Sequence, residues 1–202
     1  MPTDHKNSVH LRRQTIFRSV SVASVFAVAL IFSVTNVPVH PTAEDKAIFA
    51  GFGFSPPARE LSYAEQIDTI RRVQSLVIDR FPNQQGIPEH QPREPKDLVA
   101  AGGGLCFDRS RFIEKLLKFH GFETRHVFVV FLDSGGLSSD DGFWRAMTRR
   151  GTSSHALSEV RTSKGWMLID SNHKWSALSK NGEPVGVSDI KRYSRDEISA
   201  PD

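Results

Sequence analysis

The 202-residue chain holds a single cysteine, Cys106. One cysteine excludes an internal disulfide and leaves three roles for the thiol: an inert buried group, an intermolecular tether or a working nucleophile. Internal repeats and low-complexity blocks are also missing, so one domain with a full core, plus some extra length, is the expected organisation. Basic residues are not interleaved with aromatics in a stripe and the formal charge is only +3, which disfavours nucleic acid as a partner. His120, His126 and His173 do not stand at metal-ligand spacing with Cys106, so neither a metal nor another cofactor is expected. What remains is ordinary, 39% hydrophobic and 24% charged, a composition that folds.

Ionisable residues are absent from one further place, "SVSVASVFAVALIFSVTNVPV", Ser19 to Val39. Lys6, Arg12, Arg13 and Arg18 precede it. The run reaches the length of about 20 residues that a spanning helix needs. A cleaved signal peptide would require small residues at A-x-A positions, and the best match, "PTA" ending at Ala43, lies well past the apolar stretch. The run therefore reads as a retained signal anchor with its basic flank inside. The expected organisation is a cytoplasmic tail (1–18), a transmembrane segment (19–39), a stalk (40–60) and a folded domain (61–198). The protein would lie in the inner (cytoplasmic) membrane, single-pass, with the C-terminal domain exported. Export sharpens the question of the thiol, because cysteines in oxidising compartments usually come in pairs.

Beyond the apolar run, "HPTAEDKAIFAGFGFSPPARE" reads as irregular, although Phe49, Phe52 and Phe54 suggest that it packs onto something. Ser62 and Glu65 form a capping box that opens a helix. Ile67, Ile70, Val73, Val77 and Phe81 line its apolar face, and Pro82 ends it. Residues 83–97 are polar and Pro-rich, hence a loop. A second helix starts near Cys106, with Phe112, Leu116 and Phe119 inward, and stops at Gly121. "TRHVFVVFLD", Thr124 to Asp133, reads as a strand. Residues 134–153 read as a long loop whose Phe143 and Trp144 need a docking place; its Asp140-Asp141 pair reads as solvated. "HALSEVRTSKGWMLID" gives two strands joined by a turn at Thr162 to Gly165. Ala156, Ser158 and Val160 share one face of the first, and His155, Leu157 and Glu159 share the other. Asn181-Gly182 is a hairpin signal. Helices followed by antiparallel strands make an α+β fold.

Three residues stand out jointly: Cys106 starts a helix, His155 starts a strand and Asp170 ends the next strand. Pairing of those strands puts His155 beside Asp170, and a Cys106 helix packed on the sheet would complete a thiol–imidazole–carboxylate line. A thiol at a helix N-terminus sits in the positive end of the macrodipole, which favours thiolate. The glycines of "GGGLC" allow close approach and unusual backbone angles at the helix entry. The unpaired N–H of Cys106 can support an oxyanion, His155 can act as base and then acid, and Asp170 can orient the ring. Singly, each residue has a plainer role, in the core, on a strand or in a turn.

The blocks "GGGLCFDRSRF", "SSHALSEV" and "GWMLIDSN" resemble the transglutaminase-like superfamily of papain-type cysteine enzymes, over roughly Asp97 to Asn172. The resemblance implies a papain/transglutaminase-like core with the nucleophile at a helix N-terminus packed on an antiparallel sheet. It implies Cys106 as nucleophile, His155 as base and Asp170 as its orienter, with Asp108, Glu159 and Trp166 in structural positions. Leu157 departs from the family's frequent aromatic two residues after the histidine. The upstream oxyanion-hole side chain is open among Gln74, Gln84 and Gln85. The implied activity is acyl transfer or amide and peptide hydrolysis on a protein or peptide with an amide acyl donor. The alternative is a non-catalytic scaffold or binding module in an envelope assembly.

Overall fold

Residues 24–28, 38–88, 91–130, 154–194 and 197–198 are described by the computed structural model of the chain. It divides into two compact units, residues 1–39 and 40–202. In the first, residues 24–28 are helical, and most of the 19–39 run lies outside the described residues. Among the described residues, no helix is long and apolar enough to cross a membrane. The expectations for Phe143, Trp144 and the Asp140-Asp141 pair also fall outside the described residues.

The second unit is a mixed fold of helices and an antiparallel sheet. Its helices are α1 (Ala43–Gly51), α2 (Tyr63–Arg80), α3 (Pro95–Ala101) and α4 (Cys106–Phe119). The strands are β1 (Thr124–Val130), β2 (Ser154–Thr162) and β3 (Gly165–Asp170), in the spatial order β1-β2-β3 with both pairings antiparallel.

Helix α1 lies in a stretch read from the sequence as irregular, and α3 begins inside the loop expected over residues 83–97. Thr42 and Asp45 cap one another at the start of α1, where the Asp45 N–H donates to Thr42 Oγ1 and the Thr42 N–H to Asp45 Oδ2. Phe49 is then fully buried against Phe112, ring centroids 5.3 Å apart at 71°. The phenylalanines of this stretch thus help to make the core. Helix α3 opens on Pro95, whose missing N–H costs nothing at a first helical position. Seven residues are too few for an apolar period to show in the sequence.

Helix α2 begins at its Ser62–Glu65 capping box, as expected, and α4 ends with His120 as cap and Gly121 at φ +86°. That left-handed angle is one a side-chain-bearing residue adopts rarely. Ile70, Val73 and Val77 of α2 and Phe112, Ile113 and Leu116 of α4 meet Val160, Met167 and Ile169 of the sheet in one core. A second, smaller cluster lies on the other sheet face, where Leu168, Ala177 and Val185 pack with Val127, Leu157 and Trp175. The Asn181-Gly182 signal is a turn in which the Gly182 N–H reaches Ser179 O, flanked by the isolated Leu178–Pro184 bridge instead of long strands.

Alternation along β2 decides which face does what. Ser158 turns toward α4, its Oγ 2.7 Å from Ser110 Oγ and 2.8 Å from Glu114 Oε1. His155, Leu157 and Glu159 point the other way. The β2–β3 register pairs Leu157 with Asp170, so His155 and Asp170 are diagonal neighbours on one face.

Candidate active site

Cys106 is the first residue of α4 and is partly buried. The glycines before it shape the entry. Gly102 adopts φ +68° to end α3, and a Cβ on Gly104 would come within 2.6 Å of Leu98 Cδ1 and 2.8 Å of Asp108 Cβ. The loop is therefore packed from both sides and holds the cysteine tightly. It is also tied to residues 82–84, where the Gly104 N–H donates to Pro82 O and the Gln84 N–H to Gly104 O. Asp108, in the first turn, accepts the Leu105 N–H at 2.9 Å and is paired with Arg93 at 2.7 Å. Its carboxylate closes the helix start and its charge is matched.

The imidazole–carboxylate half of the expected line is assembled. His155 Nε2 lies 2.9 Å from Asp170 Oδ1. Asp170 also accepts the Asn172 N–H at 2.6 Å, and His173 Nδ1 stands 3.3 Å from its other oxygen. Burial by itself would raise the Asp170 pKa; the Asn172 N–H and the His155 ring outweigh it and hold the carboxylate below its usual range. Asp170 is thus an anion at neutral pH and a ready acceptor for a proton on His155 Nε2.

Helix α4 packs on the face opposite His155, but its first turn reaches the end where β2 begins and β3 finishes. Arg109 Nη1 donates to Asn172 Oδ1 there, at 3.0 Å. No hydrogen bond joins Cys106 Sγ to the His155 ring. The structure brings His155 and Asp170 into contact and the Cys106 turn to the same end of the sheet.

The three glutamine candidates separate. Gln74 is buried, and its Nε2 donates to the carbonyls of Asp170, His173 and Trp175 at 2.7, 3.0 and 2.7 Å. It braces the turn after β3 and is not available to an oxyanion. Gln84 lies beside the nucleophile loop, with its Nε2 2.7 Å from where a Gly103 Cβ would be. Gln85 is exposed. Glu159 is buried, accepts Arg125 Nε and the Val187 N–H, and sits beside Trp166, whose ring carries the Arg125 guanidinium at 4.2 Å. Glu159 and Trp166 hold the sheet to its covering loop and take no part in the site.

A cavity of about 640 Å³ opens beside the pair on the His155 face. Val127, Val129, Leu157, Leu168 and Trp175 line it, with His155 and Asp170 as its polar wall. Cys106 is outside its wall among the described residues. Arg109 carries no signal of its role in the sequence, because an arginine inside a helix ordinarily faces water; here it is 2% exposed. Among the described residues, no group of three metal-ligating side chains comes together.

Comparison with curated proteins and with solved structures finds no match. The model of the transglutaminase-like superfamily, by contrast, matches residues 58–171, more than half of the chain and all of α2 to β3. With Cys106, His155 and Asp170 all inside that span, the chain belongs to the transglutaminase-like superfamily.

Proposed function

We propose that the chain is an exported, membrane-anchored thiol enzyme that transfers or hydrolyses acyl groups at an amide through Cys106, His155 and Asp170. The observation that carries this reading is the 2.9 Å contact of His155 Nε2 with Asp170 Oδ1, at the sheet end that the first turn of α4 also reaches. Nδ1 of His155 takes the Cys106 proton, and the thiolate adds to the substrate carbonyl. The N–H of Cys106, free in the first helical turn, faces the developing oxyanion. The imidazolium returns its proton to the departing amine, and Asp170 stabilises that imidazolium. Water or a second amine then releases the acyl group from sulfur, so hydrolysis and cross-linking share one thioester.

The substrate is a protein or peptide carrying an amide acyl donor. The apolar cavity beside the dyad favours a donor with an apolar group next to the reacting carbonyl. Because Cys106 is outside the cavity wall, that group occupies the cavity while the carbonyl lies at the sheet end. The apolar run at residues 19–39 is the anchor, and a periplasm-type reporter fused after Asp202 is expected to be active where a cytoplasmic one is silent.

Trapping tests the enzyme reading. The exported domain is incubated with peptide amides and quenched with acid, and mass is sought on Cys106. A thioester adduct that is absent from Cys106→Ala supports acyl transfer. A thiol that labels only after denaturation overturns it in favour of the scaffold reading, which the lack of an Sγ–imidazole hydrogen bond favours.

A further inference from the structure

Arg109 follows Cys106 by three residues and so stands on the same side of α4. It is the largest fully buried side chain in the described structure. Its Nη1 donates to the neutral amide oxygen of Asn172, and its Nε has no hydrogen-bond partner. Among the described residues it forms no ion pair within 4 Å of a carboxylate, an unusual condition for a buried guanidinium. Burial lowers its pKa, and the two groups that act against that loss are Asp170 and Cys106.

The other charges at this end of the sheet have partners of their own. Asp108 on α4 is paired with Arg93 from the preceding loop. Asp170 on β3 accepts from the imidazoles of His155 and His173, which match its charge only when protonated. Cys106 is, after Asp170, the second group able to present a negative charge to Arg109.

We propose that Arg109 is a positioning residue: its buried charge favours the thiolate of Cys106, and its bond to Asn172 fixes the turn that holds Asp170. The inference rests on the thiol-enzyme reading. In the proton transfer, Cys106 Sγ–H loses its proton to His155 and no other bond changes. The four groups then alternate in sign, Arg109 positive, Cys106 negative, His155 positive and Asp170 negative. Without Arg109 the thiolate loses a positive neighbour, and the neutral Cys106–His155 pair gains over the thiolate–imidazolium pair.

The test is the pH dependence of iodoacetamide alkylation of Cys106 in the full-length protein. Arg109→Gln is expected to slow alkylation at pH 6.5 by about tenfold, as the midpoint moves up by about one pH unit. Arg109→Lys, which keeps the charge, is expected to recover part of that loss. Asn172→Asp places a carboxylate against the guanidinium without emptying any volume, and is expected to move the midpoint the same way. It decides the matter if Arg109→Gln fails to fold. Profiles of Arg109→Gln, or of Asn172→Asp in its stead, that superimpose on the parent overturn the role of Arg109 while leaving the enzyme reading intact. A thiol unreactive in every folded protein overturns both.

Discussion

Helix α4 buries two cations, and they are treated oppositely. Lys115, 1% exposed, has Nζ 2.8 Å from Asp45 Oδ2 and also bonds Glu94, which in turn holds Arg111 at 2.5 Å. Two positive and two negative groups close a balanced cluster that staples α1 and the start of α3 to α4. Arg109, 2% exposed and less than two turns away, donates to a neutral amide and forms no ion pair among the described residues. A buried ion pair contributes little net stability, yet breaking it is costly because a charge is left unmatched. Lys115 shows the satisfied case. Arg109 shows a charge without an ion-pair partner among the described residues, at the turn that follows Asp170.

The largest effects that sharpen this contrast lie at the reactive end. Cys106→Ala is expected to abolish turnover while leaving the thermal midpoint nearly unchanged, since a methyl replaces a thiol at a partly buried position. Asp170→Asn is expected to keep the fold and lower the rate by roughly two to four orders of magnitude, the scale of lost general-base orientation. A rate within threefold of the parent would remove Asp170 from the line.

At the structural end the pattern reverses. Lys115→Met leaves Asp45 and Glu94 without their shared cation and is expected to cost about 3–5 kcal/mol in denaturant unfolding. Turnover per folded molecule should be unchanged. Equal loss in both quantities would break the distinction between the two cations.

The smallest effect concerns a third buried base, His120 at the end of α4. Burial first, and then the nearby Arg72 charge, hold its pKa below the ordinary value, and its Nε2 has no partner. The unfolded chain binds this proton more readily, near pH 6.5. Stability is therefore full above that value and declines as the pH falls through it toward the folded pKa. His120→Phe, which keeps the edge contacts with Phe54 and Phe119, is expected to flatten the fall in thermal midpoint between pH 7 and pH 5. An unchanged slope would assign the acid sensitivity to another group.

Much of the fold was legible along the chain because it depends on local periodicity. The capping box at Ser62, the apolar face of α2, the stop at Gly121 and the turn from Thr162 to Gly165 are local signals, and each stands where it was expected. Helix α1 was not legible. Its sequence, Ala43 to Gly51, carries a weak apolar period among charges, and Asp45 looks like a surface residue until Lys115, seventy positions away, arrives to bury it. Gln74 misled for a similar reason: nothing in α2 announces three carbonyls from the far side of the sheet.

For the candidate site, the residue types and their places on elements were readable without coordinates, since a cysteine after glycines at a helix start and a strand alternation are properties of short stretches. The diagonal of His155 and Asp170 follows from the turn that joins their strands. Only the tertiary structure decided that α4 covers the Ser158 face while His155 faces the other way, that the first turn of α4 reaches the turn after β3, and that Arg109 is buried there. Packing sets those facts: which face a helix covers depends on apolar residues distant in sequence, and a charge becomes buried only when other elements close over it.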